Sequence, residues 1–336
     1  MDFSEAMETL TFGEICEAAA VLKGIAHVTP VMTSYQLNET SGARVFLKCE
    51  NFQRVGAFKF RGAYYAISRI AVEKPDRPIV TLSSGNHAQG VALACRLHGL
   101  QAHIVMPLPV NPMKKQATTD YGATVYEASD RRHAEQIAAS LCENLHGILV
   151  HPFNDVAVMA GQGTTMLELF DQVPNMDVIL APVSGGGLLS GLCVAAHALD
   201  ERLKIYACEP AGALDAMYSV QENRIVPMTD PHTIAEGLRA SLGTRTLPIL
   251  REHVAGFFVA EEHEIIEAMR FAHERLKLVI EPSSAVALAP LLRREPFLLG
   301  KRVGVILTGG NVDLSVFWQS LEQAANDDSG RSVKKG

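Results

Sequence analysis

The sequence predicts an α/β fold with open, mostly parallel sheets covered by helices on both faces. Three observations carry that prediction. Short β-branched runs alternate with longer amphipathic stretches from about residue 79 to a last strand near residue 307. The 336 residues exceed what one ordinary core serves, so the chain is one large α/β domain or two lobes. Glycine clusters fall where strands turn into helices, the place where open α/β sheets bind ligands.

In chain order, PIVTLSS reads as a strand and NHAQGVALACRLHG as a helix closed by Gly99. AHIVMP is the next strand, and Pro112 opens a helix that ends near Gly122. ATVYEA, DRRHAEQIAASLCENLHG and ILVHPF add a strand, a helix and a strand, and the βαβ series asks for right-handed crossovers onto a parallel sheet. A second series follows: helix GQGTTMLELFDQV, buried strand DVILAPV, helix GLLSGLCVAAHAL and strand KIYACEP. Ile265, Ile266, Met269 and Leu276 give Glu261 to Leu276 a helical period, Ser283 to Leu292 is a short apolar helix, and KRVGVILTGGN is the last strand. The tail NDDSGRSVKKG has nothing to bury and is expected to fray over 323–336. No fixed-period repeat or low-complexity tether appears, so two lobes would be interwoven rather than linked.

Composition removes several function classes. The chain is 48% apolar and only 20% charged, which excludes disorder. Thirty basic against thirty-seven acidic residues give −7, so a nucleic-acid partner held by bulk charge is set aside. No apolar run reaches the roughly 20 residues of a spanning helix, and MDFSEAMETL lacks a signal-peptide pattern. A cytoplasmic protein with no membrane partner is therefore expected. Cys16, Cys49, Cys95, Cys142, Cys193 and Cys208 are scattered without a C-x-x-C, which reads as buried reduced thiols.

Three strand-end turns could carry chemistry: SSGNHAQ (Ser83 to Gln89), SGGGLLSG (Ser184 to Gly191) and TGGN (Thr308 to Asn311). Three consecutive glycines at a helix start leave backbone N–H groups bare, a cradle for a phosphate. A dinucleotide site would need a third glycine where Ser190 stands, and no G-K-[ST] exists for a P-loop. Upstream, GAFKFRGA sets Lys59 between Phe58 and Phe60. A partly desolvated amine has a lowered pKa and gains nucleophilic competence. A phosphate cradle plus such a lysine points to pyridoxal phosphate.

The blocks ENFQRVGAFKFRGA, SSGNHAQG, HPFNDVAVMAGQGT, PVSGGGLLSG, ACEPAGALD, EPSSAVAL and LTGGNVDL, in that order, resemble the fold-type II pyridoxal-phosphate enzymes (tryptophan synthase beta-like). Within them the chain is similar to serine racemases, serine and threonine dehydratases and threo-3-hydroxyaspartate ammonia-lyases, from about Thr11 to Ser320. The resemblance implies a large discontinuous cofactor domain (1–67 and 155–322), a small domain (68–154) carrying a closing substrate loop, and a homodimer. It implies Lys59 as the Schiff-base lysine, Phe58 packing on the cofactor ring, and Asn86 bonding the ring hydroxyl. Ser184, Gly185, Gly186, Gly187 and Leu188 would hold the phosphate, and Thr308 would face the pyridine nitrogen. A hydroxyl there leaves the ring unprotonated and a weaker electron sink, which favours loss of a β-leaving group.

Ser83, Ser84, Asn86 and His87 match the loop that grips the substrate carboxylate. Ser84 stands where racemases carry a serine and many dedicated threonine dehydratases an alanine, so it permits racemisation. Glu209, Asp215 and the carbonyl of Ala213 match a cation site suited to Mg²⁺ or Ca²⁺. Departures are Ala57, where many relatives have Ser, and Ser184, replacing the first glycine of a four-glycine loop. The wording R-V-G-A-F-K-F-R-G-A leans the substrate towards a second carboxylate, for which Arg131, Arg132 and His133 are the candidate cations. The expected reaction is β-elimination of water from threo-3-hydroxyaspartate, then serine or threonine, with serine or aspartate racemisation as the alternative.

Overall fold

The computed structural model describes residues 9–313, 315 and 317–319, so the expected tail lies outside them. Its strands are β1 (Val31–Met32), β2 (Arg44–Cys49), β3 (Ile79–Leu82), β4 (Ala102–Pro107), β5 (Thr124–Ala128), β6 (Ile148–Leu149), β7 (Val178–Pro182), β8 (Lys204–Pro210), β9 (Val254–Ala260) and β10 (Arg302–Leu307). They form a six-stranded sheet in the order β1-β2-β10-β7-β8-β9 and a four-stranded sheet in the order β5-β4-β3-β6. Every pairing is parallel except β1 with β2. The smaller sheet uses one continuous stretch of chain, whereas the larger takes strands from both sides of it. Helices cover the sheets on both faces, and β7 accordingly is buried at all five residues.

Most predicted elements fall where the periodicity placed them, and the differences have local causes. The helix read from Gly161 begins at Val156, with Asp155 capping it by accepting from the Val158 N–H. Of ILVHPF only Ile148 and Leu149 pair with β3, because the chain turns at Pro152. The helix expected to reach Leu276 is α-helical over Glu262–Phe271 and widens into a π turn over Ala272–Leu276. Ser283 to Leu292 is two short helices, Pro282–Ala285 and Ala289–Leu292, since Pro290 has no N–H to continue one. β9 is a half-buried edge strand that the alternation did not reveal. Four cysteines are buried as expected, but Cys16 is exposed and Cys142 half-buried, and all six are free thiols.

The helix Lys59–Glu73 is fixed in two ways. It crosses helix Val156–Gln172 at glycines: a Cβ on Gly161 would lie 2.5 Å from the Gly62 Cα, so only bare backbones allow this approach. Below it lies an ionic cluster. Arg61 is fully buried and forks two carboxylates, with Nε and Nη2 on Glu50 at 2.7 and 2.8 Å and Nη1 and Nη2 on Glu168 at 2.7 and 2.8 Å. Lys48, also fully buried, donates to Glu168 at 2.7 Å and to the Thr29 carbonyl at 2.9 Å. Two cations balance two carboxylates, which is what burial of charge requires.

Candidate active site

Each sheet reverses its strand order once. The chain runs β3, β4, β5 and returns to the other side of β3 as β6, and it runs β7, β8, β9 and returns to the other side of β7 as β10. Ligands bind at such reversals, outside the carboxyl ends of the strands. The segments after β3 (Ser83 to His87), β6 (His151 to Phe153), β7 (Val183 to Gly187) and β10 (Thr308) all line one cleft of about 700 Å³.

Lys59 opens its helix at the cleft, its Nζ donating to the Pro152 carbonyl at 2.9 Å and lying 5.2 Å from the Phe58 ring centre. Burial pushes this amine down to about 8, with Glu281 pulling the other way, so its neutral form is far more populated near neutral pH than that of an ordinary lysine. The loop before it is strained: Val55, a β-branched residue, has φ 58°. The turn after β10 holds it there. Asn311 Nδ2 donates to the Val55 carbonyl at 2.7 Å, Gly310 N–H to Gly56 at 3.0 Å, and Phe58 N–H to Thr308 at 3.0 Å.

The glycine loop leads into helix Gly187–Leu199, which has no side-chain cap, so its first N–H groups are available to an anion. Gly186 has φ 89°, and Cβ atoms on Gly185 and Gly187 would come within 2.3 Å of the Phe153 ring and 2.9 Å of the Phe153 Cα. The bare backbone is therefore demanded by Phe153 as well as by any phosphate. The Ser184 hydroxyl, expected as a possible phosphate donor, instead exchanges hydrogen bonds with Ala240, accepting from its N–H at 3.1 Å and donating to its carbonyl at 3.3 Å.

On the opposite wall stand Ser83, Ser84, Asn86 and His87, with helix Asn86–His98 starting behind them. The Asn86 amide donates one N–H to Glu281 at 2.8 Å and its carbonyl accepts from Asn311 at 2.9 Å, which fixes the side chain and leaves its second N–H for a ligand. Burial raises the Glu281 carboxyl to about 7, against the pull of Lys114, whose ammonium pairs with Glu236 and lies 3.9 Å from Glu281. His87 is buried with Nδ1 lacking a partner, and burial, then Lys59, hold its pKa well below the ordinary value.

Of the three cations predicted for a second carboxylate, Arg131 lines the cleft, paired with Glu135 at 3.1 Å at an exposed position. Arg132 and His133 do not line it. They belong to the solvated start of helix Arg131–Asn144, where His133 Nδ1 accepts from the Ser129 N–H at 3.3 Å. Glu209, near the end of β8, and Ala213 and Asp215 just beyond it lie apart from the cleft. Glu209 takes the N–H groups of Ala216 and Met217 at 2.9 Å each, and Asp215 Oδ2 is buried with no partner. Burial raises the two carboxyls to about 8 and about 6. An orphaned buried carboxylate oxygen beside a second carboxylate suits a hard cation, although no group of three or more His, Cys, Asp or Glu side chains occurs among the described residues.

Among the cleft residues that escaped the sequence reading, four matter to the site's geometry: His151, Phe153, Lys114 and Glu281. Three sit in or beside quoted blocks, HPFND and EPSSA, so the signal was the block itself; Lys114 looked like one of many helix-surface lysines.

Comparison with known proteins agrees with this geometry. The family described as pyridoxal-phosphate dependent enzyme matches residues 22–309. A serine racemase of Arabidopsis thaliana is 42% identical over 316 residues, covering 92% of this chain and 96% of that protein. An L-threo-3-hydroxyaspartate ammonia-lyase of a Pseudomonas species is 42% identical over 322 residues, covering 94% and 100%. The structure of maize serine racemase superposes with a TM-score of 0.89 at 38% identity, covering 96% of this chain and all of that one. No helix among the described residues is long and apolar enough to cross a membrane.

Proposed function

The chain belongs to the pyridoxal-phosphate-dependent enzymes, within the serine racemase, threo-3-hydroxyaspartate ammonia-lyase and threonine deaminase group, and from that membership we propose that it racemises serine, with β-elimination of water as a second outcome of the same α-proton removal. This reverses the order of preference read from the sequence, because serine racemases recur among the relatives. The observation that carries the reading is that two proton-handling groups, the Lys59 amine and the Ser84 hydroxyl, line one cleft.

The residues fit the cofactor: a buried amine of lowered pKa, a glycine cradle at an uncapped helix start, and a threonine at the end of β10. When bound, pyridoxal phosphate supplies the sink for the electron pair of the Cα–H bond. Gly185 to Gly187 would hold its phosphate, and Lys59 would anchor it until the substrate's amine takes the lysine's place, which leaves the Lys59 amine free. The N–H groups at the start of helix Asn86–His98, with Ser83, bind the substrate carboxylate. Neutral Lys59 takes the α-proton and Ser84 delivers one to the same carbon. The burial of Lys59 keeps its amine from being fully protonated, which this step requires.

The test measures D-serine by chiral chromatography, with keto acid and ammonia, from L-serine, L-threonine and the 3-hydroxyaspartate isomers. Lys59→Ala should lose every product and the visible absorbance of bound cofactor, while Ser84→Ala should lose D-serine and retain elimination. Undiminished D-serine formation by Ser84→Ala, or no product from any substrate with the unaltered protein, would sink the reading. A preference for hydroxyaspartate is favoured by one observation, the Arg131 guanidinium at the cleft. We further propose that Glu209, Asp215 and the Ala213 carbonyl hold Mg²⁺ or Ca²⁺ in a structural role, and that the active form is a homodimer.

A further inference from the structure

His151 sits at the reversal of the smaller sheet, in the turn that follows β6, and its ring lines the cleft. Its Nδ1 accepts the backbone N–H groups of Phe153 and Asn154 at 3.3 and 2.9 Å. A ring nitrogen that accepts has no proton, so the single proton of the neutral imidazole is on Nε2. That nitrogen has no hydrogen-bond partner among the described residues, yet it is not one of the buried, sealed-off polar atoms. It is therefore accessible, on a residue that lines the cleft. Burial, reinforced by Lys59 and then Arg131, pushes the ring down to about 4, so it stays neutral across the range in which an enzyme of this kind is assayed. The ring is also fixed in direction: it meets Phe153 edge-on with centroids 4.5 Å apart, and Phe153 is seated against Gly185 and Gly187.

The result is a rigid N–H donor of known tautomer beside the Pro152 carbonyl that holds Lys59. A donor that no protein group occupies is free to meet an acceptor that a ligand brings into the cleft. Lys59 acts at the α-carbon, and the Ser83 to His87 loop faces the α-carboxylate, so the acceptor left over is one bond further out. Resting on the amino-acid reading above, we propose that His151 donates from Nε2 to the oxygen on the substrate's β-carbon and thereby selects amino acids that carry one. It is a hydrogen-bond donor and takes up or releases no proton.

Two substitutions separate the two ring nitrogens. Asparagine places an acceptor where Nδ1 lies and can cap the same two N–H groups as an Asx turn, but it lacks the outward donor. Glutamine places a donor where Nε2 lies and loses the cap. The readouts are kcat/KM for L-serine and the rate of Cα–H exchange of L-alanine in D₂O, which needs Lys59 but has no β-oxygen. His151→Asn should keep its cofactor absorbance, melting temperature and alanine exchange while losing about tenfold in kcat/KM for serine. His151→Gln should keep the preference for serine over alanine and lose thermal stability. Equal losses on serine and alanine in His151→Asn, or no loss on either, overturn the donor role. If the unaltered protein neither exchanges alanine nor consumes serine, the amino-acid reading itself fails.

Discussion

Replacing Arg61 by Met should destabilise the fold by about 3–5 kcal/mol, the usual consequence of stripping one partner from a buried ion pair. The magnitude follows from what is left behind. Glu50 and Arg61 are 0% exposed, and Lys48 offers its charge to Glu168, so without Arg61 the Glu50 carboxylate keeps only the Thr29 hydroxyl at 2.6 Å. For a chain of 336 residues that corresponds to a melting point lowered by about 4–7 °C. Glu50→Gln has the mirror-image fault, an excess buried cation. The double variant Arg61→Met with Glu50→Gln leaves Lys48 and Glu168 as a balanced pair, so its loss should fall short of the sum of the two single losses by about 2–3 kcal/mol. Melting curves of the four proteins at one cofactor concentration decide it. Additive losses would refute the claim that charge balance, rather than packing of the arginine stem, holds this cluster.

Three further outcomes are expected. Gly185→Ala drives a Cβ to within 2.3 Å of the Phe153 ring and should weaken pyridoxal phosphate affinity by at least about tenfold, read by titrating the cofactor's absorbance. Burial favours the neutral form of Glu168, but its hydrogen bonds and ion pairs with Arg61 and Lys48 outweigh it and hold the carboxyl below its ordinary range. A folded-state pKa below the unfolded one means stability present at neutral pH and lost as pH falls through the lowered value. Glu168→Gln should be less stable at pH 7 yet lose less on acidification, checked by denaturant midpoints across that range. Added Mg²⁺ or Ca²⁺ should raise the melting temperature, and Asp215→Ala, which removes the orphaned oxygen, should abolish that response.

The fold was legible because α/β periodicity is local. Strands such as KIYACEP and helices such as GLLSGLCVAAHAL begin and end where turn and capping residues stand. β9 was not, since its run VAGFFVA does not alternate, and periodicity alone does not tell a short apolar run from a piece of buried helix. Within the site, Lys59, the Ser83 to His87 turn and the Gly185 to Gly187 turn were visible as unusual residues at strand ends. Arg132 and His133 were drawn in by charge alone, and charge does not say which side of a helix faces a cleft.

The sequence by itself determined the alternating elements, the glycine turns and the lysine between two phenylalanines, because each depends on neighbours a few residues away. Tertiary structure decided the rest. It brought the ends of β3, β6, β7 and β10 to one cleft, put Glu281 against Asn86 across 195 positions of sequence, and turned the Nε2 of His151 outward by capping its other nitrogen. Those facts come from desolvation and hydrogen-bond pairing between distant segments, and no local pattern of residue types carries them.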